Sequence, residues 1–170
     1  MSTDTPTIDC YICALHQHQM DPYLESQGFG RGMIIFAIPN YGVLFKCRAE
    51  GELIDLEFGA FFSLLKFFKE KLAGQKVPRL RVHSSSPEFI FTLSNKGPHL
   101  SNHPERQKVL KEHLASLTVE VTYCRRINNR ALTPSDEYPM TPANQTPIIR
   151  PTPEDQDGTQ FKPFQKGVRL

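Results

Sequence analysis

Four residues near the amino terminus, Cys10, Cys13, His16 and His18, carry the side-chain types that a tetrahedral zinc ion prefers. A structural zinc site normally draws two pairs of ligands from separated segments, so that the metal closes a loop. A C-x-x-C-x-x-H-x-H run encloses very little chain, so these residues read as ordinary packing or surface. No metal ion or other cofactor is expected. A second group is acidic: Asp55, Glu57 and Glu88. In a stretch read as strand, Asp55 and Glu57 stand at i and i+2 and share a face, so with Glu88 they are candidates for a rearranged hydrolytic site. Exposed carboxylates on a half-buried edge are the plainer reading. His83 precedes three serines, but neighbouring strand residues point to opposite faces, so sequence adjacency makes no catalytic pair. The nucleophile-elbow, P-loop and dinucleotide signatures are absent.

The third group is basic. Net charge is only +2, yet Lys66, Lys69, Lys71, Lys76, Arg79 and Arg81 lie close together, and Arg125, Arg126 and Arg130 form a second cluster. Together they are candidates for a polyanion-binding patch, set against the simpler reading of solvated lysines on a helix.

The elements that must position these groups begin with the chain's bounds. At 170 residues and 39% hydrophobic content, with 12 Phe, the chain suits one domain with a real core. It contains no run of about 20 apolar residues, so no membrane span is expected. The opening residues lack signal-peptide character, which predicts a cytoplasmic protein with cysteines as thiols. Residues 1–32 read as a partly irregular amino-terminal extension. MIIFAI, 33–38, reads as a central strand, VLFKCRAEG as a second and ELIDLEF, 52–58, as a third, giving an antiparallel meander. Gly59 separates the third strand from a helix over 60–73 with Phe61, Leu64, Leu65, Phe68 and Leu72 inward. Phe62 and Phe67 fall off that stripe, which suggests either a broad core or an apolar surface for self-association. Gly74 and Pro78 end the helix. RLRVHSSS is a fourth strand, and PEFIFTLSNKG is either a helix capped by Ser86 or half of a hairpin over 79–93. Residues 105–117 form an amphipathic helix, and TVEVTYCRR a fifth strand. From 133 to 170, seven prolines predict a disordered tail or one laid extended over the domain.

This order of elements over 33–132 resembles the ribonuclease H-like fold, an α/β class with a mixed five-stranded sheet of a three-strand meander and two parallel strands. RRINNRAL, 125–132, resembles the R-x-x-N-x-x-A-D segment after that family's last strand, with Arg125, Asn128 and Ala131 matching. The serines before PEFIFTL resemble its S-D-S segment, and AFFSLLKFF the start of its first long helix. The resemblance implies cleavage of RNA in hybrid duplexes by two magnesium ions held between carboxylates. The implied acid positions fall near Ala37 or Ile38, at Ala60 or Phe61, at Ser85 and at Leu132, none of them acidic. A non-catalytic binding module is therefore expected, with Lys66, Lys69, Arg125, Arg126, Asn128 and Arg130 as candidate contacts to nucleic acid, or to a protein partner through the same basic surface. A protein-interaction or self-associating domain without a nucleic-acid role is the alternative, and the rearranged acidic site a further one.

Overall fold

Ile8, Cys10, Ile12 and Ala14 alternate with Asp9, Tyr11, Cys13 and Leu15, and this period of two makes Thr7–His16 the first strand, β1. The computed structural model describes residues 5–16, 31–71, 79–132 and 168–169. Strands β2 (Arg31–Ile38) and β3 (Val43–Glu50) follow, then helix α1 (Leu53–Lys71). Next come β4 (Arg79–Ser84), α2 (Pro87–Asn95), a single turn α3 (Pro98–Ser101), α4 (Pro104–Leu114), β5 (Thr118–Tyr123) and the two-residue β6 (Val168–Arg169). The sheet order is β3-β2-β1-β4-β5-β6. The first three strands pair antiparallel, β4 lies parallel to β1 and β5 parallel to β4, so the mixed five-stranded sheet stands as expected. Antiparallel β6 extends its edge beside Glu120 and Val121.

Two placements differ from the sequence reading. The meander begins at β1, inside the stretch read as an irregular extension, and the segment 52–58 is the first part of α1 rather than a third strand. The turn expected at Glu50 and Gly51 is present, Gly51 having a φ of 151° that favours glycine, but it leads directly into α1, with no break at Gly59. Gly59 lies within α1, where an added Cβ would come 3.4 Å from Ile34 Cγ2, an ordinary van der Waals distance. Ile54, Phe58, Phe61, Leu65 and Phe68 recur every three or four residues and are all buried, so one helical stripe runs through the boundary that had been drawn at Gly59.

That stripe packs on Ile8, Cys10, Ile12 and Ala14 of β1, Ile34 and Phe36 of β2, and the inward residues of β4 and β5. Phe89 of α2 meets Phe58 and Phe61 edge-on, with ring centroids 5.1 and 5.4 Å apart. Phe62 and Phe67 pack against the same core, which is thus broad. Residues 87–95 are helical, not a hairpin strand: Pro87 opens α2 and the Ser86 hydroxyl accepts from the Phe89 N–H at 3.2 Å. Arg106 of α4 pairs with Asp55 and lies over the Phe58 ring, 4.9 Å from its centroid, tying α4 to the start of α1. On the opposite face of the sheet Cys13, Leu15, Ile35, Ala37 and Ala131 form a smaller cluster. Gly74, Pro78, His18 and residues 133–167 lie outside the described residues. Among the described residues no helix is long and apolar enough to cross a membrane.

Phe61 is fully buried at the centre of this packing. Phe61→Ala should cost about 3–5 kcal/mol, measured as a lower urea midpoint at unchanged slope. A loss under about 1 kcal/mol would contradict the packing described.

Candidate functional site

Parallel pairing of β1, β4 and β5 brings their carboxyl ends to one edge, with Ile12 beside Ser84 and Ser84 beside Tyr123. The start of α1 crosses this edge and delivers Glu57, which is 4% exposed. The Ala14 N–H donates to Glu57 Oε1 at 3.1 Å, and the Ser84 hydroxyl approaches Oε2 at 3.5 Å. Ser84 Oγ also accepts from the Ser86 N–H at 3.1 Å. Beyond β5 the chain makes a 3-10 turn, Arg126–Asn128, and then buries Asn129. The Asn129 amide donates to the Ile12 carbonyl at 2.9 Å and to Ser85 Oγ at 3.0 Å, while its oxygen accepts from the Ala131 N–H at 3.0 Å. Ser85 Oγ lies 3.6 Å from Cys124 Sγ, and the Cys124 N–H closes the edge on the Ser84 carbonyl at 2.9 Å.

Electrostatically this is a site with one buried acid. Burial pushes the Glu57 carboxyl up to about 7, against the opposing pull of the Ala14 N–H, the Ser84 hydroxyl and the Arg126 charge. Burial likewise pushes the Cys124 thiol up to about 11, the Ser85 contact opposing it and the Glu57 charge adding to it. A thiol so raised is a poor nucleophile at neutral pH.

The residues present do not fit a magnesium site. Magnesium needs several oxygen ligands in octahedral array, usually with ionised carboxylates among them. Here Glu57 is the one carboxylate among the described residues of the edge, with Oε1 accepting from the Ala14 amide and Oε2 3.5 Å from the Ser84 hydroxyl. Its neighbours Ser85, Cys124 and Asn129 are turned to one another. Among the described residues no three His, Cys, Asp or Glu side chains gather to hold a metal ion.

Strand order and the crossover from α1 to β4 define the architecture: the fold is ribonuclease H-like. Among solved structures the chain is similar to the crystal structure of RNase H1 from the halophilic archaeon Halobacterium salinarum NRC-1, with a TM-score of 0.50 and 9% identity. That similarity covers 74% of this chain and 91% of the other. No family model matches the sequence, and no curated protein matches it.

The residues singled out from sequence are only partly brought together. Arg125, Arg126, Asn128, Ser85 and Leu132 do meet at the carboxyl edge, and Arg130 follows on the same turn segment. Ile38 does not belong there: it ends β2 and is buried in the core, because the first strand is β1. The β1 residues paired with or next to the Ser84 level are Ile12 and Cys13, neither of them acidic. Ala60 lies two turns into α1, since the helix begins at Leu53; the acid near the helix start is Glu57. Asp55, Glu57 and Glu88 do not assemble. Asp55 is engaged by Arg106, and Glu88 is exposed at the start of α2, 3.3 Å from His99 Nε2. Burial alone would raise the Asp55 carboxyl, but the Arg106 hydrogen bond and charge and the Glu52 N–H hold it below its usual range.

Lys66 and Lys69 sit on the far half of α1, roughly 14 and 18 Å along the axis from Glu57, where Phe68 reaches Tyr41 beyond the end of β2. Lys66 pairs with Glu70 at 3.7 Å. Lys66 and Lys69 therefore stand away from the carboxyl edge, which the arginines after β5 adjoin. Cys10 and Cys13 lie on opposite faces of β1, in separate clusters, so they cannot share a zinc ion. The sequence reading missed Ser84 and Asn129 as organisers of the edge. It also missed the contact of His83 Nε2 with Asp9 Oδ1 at 2.8 Å, with Tyr11 stacked on the imidazole, because β1 had not been placed beside β4.

For Glu57 the sign of the pH effect follows from its raised affinity for a proton. Its contribution to stability is full below about 4.5 and is lost as pH rises through about 7. The loss amounts to roughly 3 kcal/mol. Glu57→Gln should remove this dependence and gain stability relative to the parent at pH 8, measured by urea titration between pH 4.5 and 8. A parent and variant with parallel pH profiles would contradict the buried, proton-holding carboxyl.

Proposed function

We propose that the chain is a non-catalytic ribonuclease H-like module that binds nucleic acid through the turn after β5. The observation that carries this reading is the composition of the carboxyl edge. One buried acid remains, held by the Ala14 amide, while Ser85 and Leu132 stand where the family resemblance calls for carboxylates. Arg125, Arg126, Asn128 and Arg130 border the same edge. Contacts to phosphate need cations and hydrogen-bond donors rather than a metal, so affinity for nucleic acid survives the loss of the metal ligands. A cytoplasmic setting accords with this reading, as do four free thiols among the described residues.

Fluorescence anisotropy with hybrid, duplex and single-stranded oligonucleotides tests it. Three arginine contacts predict binding that weakens roughly 40-fold between about 50 and 200 mM salt. Absence of binding to every oligonucleotide at low salt would overturn the proposal.

A further inference from the structure

Ile127 is 63% exposed, more than any other large hydrophobic among the described residues, and it stands in the middle of the 3-10 turn Arg126–Asn128. Single exposed apolar residues are common and by themselves mean nothing. What distinguishes this one is the base it stands on and the company it keeps. The turn is closed by the Asn128 N–H on the Arg125 carbonyl at 2.9 Å and the Asn129 N–H on the Arg126 carbonyl at 3.0 Å. Immediately after it, Asn129 is 3% exposed and tied to β1 and Ser85, and Ala131 is buried in the second cluster. An isoleucine held out on so well-anchored a turn loses little conformational freedom when it contacts a partner. Around it Arg125, Asn128 and Arg130 are exposed, which gives an aliphatic tip ringed by groups suited to phosphates and groove edges.

We infer that this turn is a wedge: Ile127 inserts between base steps of a duplex from its minor groove, while Arg130 and Arg125 contact the flanking phosphates. The inference rests on the reading that the chain binds nucleic acid, and it names the form of nucleic acid and the mode of contact. Aliphatic side chains inserted from the minor groove partly unstack a step and bend the duplex, whereas single strands are gripped by aromatic platforms. The turn carries an aliphatic residue and no aromatic one, so it fits a duplex.

The test compares the full chain with Ile127→Ala and Arg130→Gln on a duplex carrying 2-aminopurine at its centre. Both substituted positions are exposed, and thermal melts confirm that folding is unchanged. The parent should raise the 2-aminopurine fluorescence as the step unstacks. Ile127→Ala should abolish that rise and weaken duplex binding about tenfold with an unchanged salt slope. Arg130→Gln should keep the rise and lower the salt slope by about 1. Duplex binding and fluorescence unaffected by Ile127→Ala would overturn the wedge while leaving the nucleic-acid reading in place. A loss on Ile127→Ala of affinity for single strands equal to that for the duplex, with no fluorescence rise in the parent, would also overturn it. No binding to any oligonucleotide by the parent would remove both, and leave Ile127 as an anchor for a protein partner.

Discussion

The hydrogen bond from the Ala14 amide to the Glu57 carboxyl fixes how the long helix meets the sheet. Placing a carboxyl at 4% exposure is costly unless its oxygens find donors, and an end-of-strand amide supplies one. The contact sets the start of α1 against the carboxyl ends of β1 and β4. From that point the Ile54-to-Phe68 stripe is laid across the sheet. The same contact decides the chemistry of the edge. A carboxyl that accepts from backbone, and whose burial disfavours its charge, acts as a structural strut between helix and sheet.

Much of the fold was legible in the sequence, though not its origin. The resemblance in element order pointed to the correct architecture, and in the structure the serine cluster and RRINNRAL meet through Asn129 and Ser85. The register over the first half was shifted by one strand. In TIDCYICALH the alternation of apolar residues was present, but cysteine and histidine drew attention as metal ligands and hid a strand covered on both faces. In ELIDLEF a local alternation competed with a helical repeat that becomes clear only when it is followed through Gly59 to Phe68. Because the first strand is β1, Ile38 falls at the end of β2 and Ala60 two turns into α1. Asn129 carried no recognisable signal, because its importance lies in bonds to residues 44 and 117 positions away.

The basic residues illustrate the same limit. Charge clustering along the sequence suggested one patch, but α1 runs away from the carboxyl edge and carries Lys66 and Lys69 with it. The arginines after β5 stay, because buried Asn129 and Ala131 pin the turn that bears them. Under the proposed binding role, the arginines at this edge serve contact with phosphate, which needs no metal.

The most direct test of that account is a cleavage assay on a labelled RNA–DNA hybrid, with protein in excess and magnesium or manganese supplied. The hybrid should remain intact over hours in both metals, with the parent and Glu57→Gln indistinguishable. Metal-dependent cleavage by the parent that Glu57→Gln abolishes would contradict the account.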